Sequence, residues 1–139
     1  MVKFIVGEKG TGKSKKLVAL ANETAKTTEG SLVFIDDNRV PSLSLDKSIR
    51  LVVSSGYNIS NYQEFLGFIC GILSQNNDIV EIFIDGLGNI IKNISDVDLI
   101  NFANKLTTTS KENNVNFIIT INKSHDAFPP ELSSMFYTK

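Results

Sequence analysis

Val2-Lys3-Phe4-Ile5-Val6-Gly7-Glu8-Lys9-Gly10-Thr11-Gly12-Lys13-Ser14 is the stretch whose reading decides the fold. Val2 to Val6 is a short apolar run cut off by a glycine, the pattern of a buried strand. Beyond Ser14, residues Leu17, Val18, Leu20, Ala21 and Ala25 recur at helical spacing. A strand, a glycine-rich turn and a helix therefore follow one another without a gap.

Gly7 to Ser14 also fits the pattern G-x-x-x-x-G-K-[ST]. Glycines let such a loop wrap closely, so that successive backbone N–H groups aim at one centre. The helix that follows adds the partial positive charge of its N-terminus. Gly7, Glu8, Lys9, Gly10, Thr11, Gly12, Lys13 and Ser14 are the expected nucleotide-binding residues, with Lys13 reaching the β- and γ-phosphates. The Ser14 hydroxyl is a hard oxygen donor suited to Mg²⁺. Further along, the apolar run Ile79 to Ile84, interrupted only by Glu81, delivers Asp85 at its end. Asp85 is the expected second metal residue, holding Mg²⁺ through a water from the side opposite Ser14.

Working outward, Ser31 to Ile35 reads as a second strand ended by Asp36, Asp37 and Asn38, and a polar loop containing Pro41 follows. Ile49 to Val53 is a third strand, Ile79 to Ile84 a fourth and Phe117 to Ile121 a fifth. Tyr62, Phe65, Leu66, Ile69, Cys70 and Leu73 form one apolar helical stripe, with Ser60 and Gln63 as its capping box. Ser95 caps a further helix that buries Leu99, Ile100, Ala103 and Leu106. Nearly all-apolar strands alternating with helices predict an α/β domain, its parallel sheet covered on both faces. No repeat, linker or low-complexity stretch divides residues 1–139, so a single domain is expected. Ligands of such sheets bind beyond the C-terminal strand ends, which makes Gly7, Asp36, Ser54, Asp85 and Asn122 the expected rim.

The net charge of -1 gives no overall reason to expect nucleic acid or an acidic membrane as partner. No apolar run approaches the ~20 residues needed to span a bilayer, and no leader pattern precedes Val2, so a cytoplasmic protein is expected. Cys70 is the only cysteine and His125 the only histidine. An internal disulfide and a Cys/His zinc site are thereby excluded. Cys70, within the helical stripe, is expected to be buried as a small hydrophobe.

Two nucleotide-binding families compete for the resemblance. Asp85-Gly86-Leu87-Gly88 matches the D-x-x-G motif of GTPases. Asn122-Lys123-Ser124-His125-Asp126 is similar to their base-reading N-K-x-D, with one residue too many to present Asp126 to guanine. The order of elements instead resembles the RecA-like P-loop ATPases across most of the chain. Those run P-loop, helix, a strand ending in acidic residues, a short strand ending in small polar residues, a helix, the metal-binding aspartate, a helix and a strand with a polar sensor. The corresponding residues are Gly7 to Ser14, Phe34 to Asn38, Val52 to Ser55, the helix from Ser60, Asp85, the helix from Ser95, and Ile121-Asn122-Lys123.

That resemblance implies a three-layer P-loop NTPase fold, with a mostly parallel sheet of about five to six strands in the order 3-2-4-5-1. It implies MgATP as ligand, an ATPase activity coupled to a protein partner or to self-assembly, and Lys13, Asp36, Asp37 and Asn122 as catalytic candidates. The family's water-activating glutamate is missing: Asp36, Asp37 and Asn38 stand in its place, and Gly86 follows Asp85. A nucleotide-dependent binding or regulatory module with little hydrolysis is the alternative. A small P-loop kinase is a third reading, opposed by the scarcity of arginine, since only Arg39 and Arg50 occur. Lys123, on the sensor loop, and the cluster Lys9, Lys15 and Lys16 are the remaining cations near the expected site. Phe136 to Thr138, after a proline-started turn at Pro129-Pro130, is expected to pair with Val2 to Val6 and close that edge.

Overall fold

A computed structural model describes residues 1–39 and 43–138; the loop expected around Pro41 lies outside the described residues. Each of the five apolar runs forms a strand: β1 (Val2–Gly7), β2 (Ser31–Asp36), β3 (Ile49–Val53), β4 (Ile79–Ile84) and β5 (Asn116–Asn122). All pair in parallel, in the order β1-β5-β4-β2-β3, which runs 3-2-4-5-1 when followed from the β3 edge. Successive side chains of a strand point to opposite faces, so Phe4 and Ile5 of β1 enter different core clusters. A strand buried on both faces must be apolar throughout, which is why these runs do not alternate.

Four helices cover the sheet: α1 (Lys13–Thr27), α2 (Tyr62–Gln75), the single turn α3 (Leu87–Ile90) and α4 (Asp96–Asn113). On one face α1 packs Leu17 and Ala21 among Ile5, Phe34, Phe83 and Ile118. On the other, Phe65 and Ile69 of α2 and Phe102 and Leu106 of α4 close over Phe4, Val33, Ile82 and Phe117. Phe65 stacks on Phe102 with ring centroids 5.8 Å apart, tying α2 to α4. Side chains of this size contribute about 1.5–3 kcal/mol each when fully buried. This packing holds the C-terminal strand ends in one layer.

Several local expectations are corrected. The cap of α2 sits one residue later than the Ser60/Gln63 box. Asn61 Oδ1 accepts from the Glu64 N–H at 2.8 Å, and Glu64 Oε1 accepts from the Ser60 N–H at 2.7 Å. Starting there, the buried stripe of α2 is Tyr62, Phe65, Ile69 and Leu73. Cys70 lies about 100° round the helix from Ile69 and is exposed rather than buried. Ser95 does cap α4, accepting from the Asp98 N–H at 3.1 Å. Helix α3, absent from the sequence reading, buries Leu87 and Ile90 directly after Asp85.

Among the described residues the sheet has five strands, within the expected five to six. Pro129 and Pro130 have no N–H for a ladder, and a 3₁₀-helix occupies Pro130–Met135. Among the described residues the backbone of the C-terminal segment pairs with β1 at a single Phe4–Phe136 bridge, where the Tyr137 N–H donates to the Phe4 carbonyl at 2.8 Å. Among the described residues no helix is long and apolar enough to cross a membrane.

Candidate functional site

Parallel strands end together, and register fixes what meets at the rim. Gly7 stands beside Asn122, and Ile35 beside Ile84. The Asp85 N–H extends the β4–β2 pairing by donating to the Ile35 carbonyl at 2.9 Å. Asp85 thereby comes to the same rim as Asp36, although the two are far apart in sequence.

The turn between β1 and α1 has no side-chain cap. Gly12 occupies the N-cap position in a left-handed conformation, and no acidic residue lies in the first turn of α1. Gly10 and Gly12 both have φ of 84°, a region that strains residues with a Cβ. Unlike α2 and α4, helix α1 keeps its first N–H groups free of a side-chain acceptor, and these groups carry the partial positive end of the helix dipole. Lys13 folds back into the loop, its Nζ donating to the Glu8 carbonyl at 2.8 Å. Burial lowers the Lys13 ammonium from its usual range, and the Asp85 carboxylate opposes that shift. A desolvated cation held among unsatisfied N–H groups attracts a multiply charged anion.

A cleft of about 450 Å³ opens from this loop across the strand ends. Its lining brings together Lys9, Gly10, Gly12, Lys13, Ser14, Asp36, Asp37, Asp85 and Asn122 among the residues expected from sequence. Gly7, Glu8 and Thr11 line a second cleft on the far side of the loop instead. Ser54 faces a third, beside Asp37. Of six buried polar or charged side chains in the described residues, Lys13, Asp36, Asp85 and Thr120 belong to the first cleft. Burying polar groups is unfavourable unless each is paired, and among the described residues no buried side-chain polar atom lacks a hydrogen-bond partner.

The pairing is specific. Ser14 Oγ donates to Asp85 Oδ1 at 3.1 Å. Thr120 Oγ1 donates to the same oxygen at 2.6 Å and accepts from the Gly86 N–H at 2.8 Å. Thr120 was missed by the sequence reading, although it is the one polar residue inside the apolar run of β5. Asn89 and Gly86 also line the cleft, carried there by α3. Burial pushes the Asp36 carboxyl up to about 8, an effect increased by its contacts with Asp37 and Asp85 and opposed by the Asn38 N–H. Burial and these neighbours therefore favour the protonated form of Asp36, a donor toward its carboxylate neighbours.

Among the described residues no group of three or more His, Cys, Asp or Glu side chains is gathered around a metal position. The Ser14–Asp85 pair nonetheless fits Mg²⁺, which keeps several waters and takes one or two protein ligands beside phosphate oxygens. Lys123, just past β5, pairs with Asp96 at 3.6 Å. Lys15 lines the first cleft and Lys16 the second. Arg39 and Arg50 line a separate cavity along β3, and Asp126 lines neither cleft beside the loop. No family model matches this chain, and no curated protein matches it in sequence.

Proposed function

We propose that the chain binds a nucleoside triphosphate, ATP with Mg²⁺, in the cleft between the Gly7–Ser14 loop and Asp85, as a P-loop protein of the RecA-like kind. The observation that carries this reading is the uncapped α1 N-terminus, with Lys13 and the left-handed glycines, facing the Ser14–Asp85 pair. Terminal phosphates would take the free N–H groups and Lys13. The metal would take Ser14 Oγ directly and Asp85 through a water. The strand order supports the reading, because β5 separates the loop strand β1 from the aspartate strand β4.

Hydrolysis would need a group to orient and deprotonate the attacking water. Burial and the neighbouring carboxylates disfavour the ionised form of Asp36 in the ligand-free cleft, and no glutamate lines it among the described residues. Asp37 is the other carboxylate available for that role, and Asn122 also lines the cleft. This favours slow turnover that a protein partner or self-assembly accelerates, and it also supports a second reading, a nucleotide-dependent binding module with little hydrolysis.

Calorimetric titration with MgATP tests the binding, and phosphate release under saturating MgATP separates the two readings. We expect a saturable site that prefers MgATP to MgADP and binds GTP no better than ATP. Failure to bind any triphosphate overturns the proposal.

A further inference from the structure

The two clefts flanking the loop share Gly12 and Lys13, yet their chemistry differs. The first holds Ser14 and three aspartates, as suits metal-bridged terminal phosphates. The second, of about 420 Å³, is lined by Ile5, Val6, Thr11, Lys16, Ser124 and His125, with Glu8 its only carboxylate among the described residues.

One side of this second cleft, at Ser124 and His125, is built by the segment that follows β5. Phe4 contacts Phe128 at 5.3 Å between ring centroids, Phe128 contacts Phe136 at 5.1 Å, and Phe136 contacts His125 at 5.0 Å. An aromatic column thus rises from the core and ends in an exposed imidazole at the cleft. Ser124 fixes the turn beneath it, its carbonyl accepting from the Ala127 and Phe128 N–H groups at 3.1 Å each. Lys16 Nζ lies 5.2 Å from the centre of the Tyr137 ring, so the same C-terminal segment braces the α1 side.

We infer that the second cleft receives the nucleoside half of the ligand, with the base stacked on His125 and the triphosphate crossing the loop at Gly12 and Lys13 into the first cleft. This rests on the proposed triphosphate site. A flat ring with an apolar and aromatic wall on one side needs no hydrogen-bond code, and stacking tolerates any base. Asp126 lies outside both clefts, so guanine has no carboxylate partner from that turn, and discrimination among purines is weak.

The test compares MgATP with magnesium tripolyphosphate, which carries the same phosphates and no nucleoside. Calorimetric titrations of the wild-type chain, His125→Ala and Lys13→Ala would be run with both. We expect His125→Ala to weaken MgATP about tenfold and to leave tripolyphosphate unchanged, which also reports an intact fold and loop. Lys13→Ala is expected to weaken both. Equal effects of His125→Ala on the two ligands, or no effect on either, overturn the nucleoside assignment while leaving the phosphate site standing. Wild-type chain that binds neither ligand overturns both.

Discussion

Ser14 Oγ donates to Asp85 Oδ1 at 3.1 Å across 71 residues of sequence. The contact joins the start of α1 to the end of β4 and brings the two expected metal residues together before any ligand is considered. Ser14→Ala removes a hydroxyl from the cleft and leaves the loop backbone free to hold phosphates. Magnesium dependence is the expected casualty. Titration of ATP with and without Mg²⁺ would show the metal strengthening binding to the wild type far more than to the variant. An equal gain in both would remove Ser14 from the metal site.

Thr120 holds Asp85 from below, through one donated and one accepted hydrogen bond. Thr120→Val keeps the shape of the side chain and strips out the hydroxyl, leaving the Gly86 N–H without its acceptor and Asp85 Oδ1 with Ser14 Oγ as its one remaining donor. Loss of a buried partner costs about 1–3 kcal/mol. A fall of several degrees in Tm is expected, together with weaker MgATP binding. A variant that melts with the wild type and binds MgATP equally well would make the hydroxyl incidental.

Asp36 predicts a pH dependence of stability. Its carboxyl is raised from 3.8 to about 8 in the folded chain. Between those values the folded state carries a proton that the unfolded state has released. The contribution is therefore fully present near pH 4 and is lost as pH rises through about 8. Denaturant titrations in EDTA should show this fall for the wild type and a flatter profile for Asp36→Asn. Parallel profiles for the two proteins would assign the slope to other groups.

The segment after Ser134 touches β1 through the Phe136 bridge and the Tyr137 N–H, and Phe136 packs on Phe128, which itself contacts Phe4. Removing residues 135–139 would expose that edge of β1 and part of the aromatic column. A bare apolar edge invites pairing with other chains, so lower Tm and concentration-dependent aggregation on light scattering are expected. Truncated protein with unchanged Tm and no aggregation would show that β1 is protected by other means.

Sequence alone determined the five strands and the loop, for local reasons. Apolar runs of strand length declare themselves without reference to partners, and the glycines with Lys13 and Ser14 carry their conformation and chemistry in one contiguous stretch. Asp85 was legible because it ends such a run. What only the tertiary structure decided depends on residues that are distant in sequence. Cys70 falls outside the buried stripe because the contact face of α2 narrows to Tyr62, Phe65, Ile69 and Leu73, and a residue about 100° round from Ile69 is left at the surface by the way α2 packs. Thr120 is a strand residue like its neighbours until β5 is set beside β4, where its hydroxyl meets Asp85. The raised carboxyl of Asp36 comes from burial and from neighbours that include Asp85, which the β2–β4 pairing brings to it. His125 reads as an isolated loop residue until Phe128 and Phe136 fold back to brace it. Local chemistry is written in adjacent residues, whereas burial, shared hydrogen-bond partners and shifted carboxyls exist only once separate segments have been packed together.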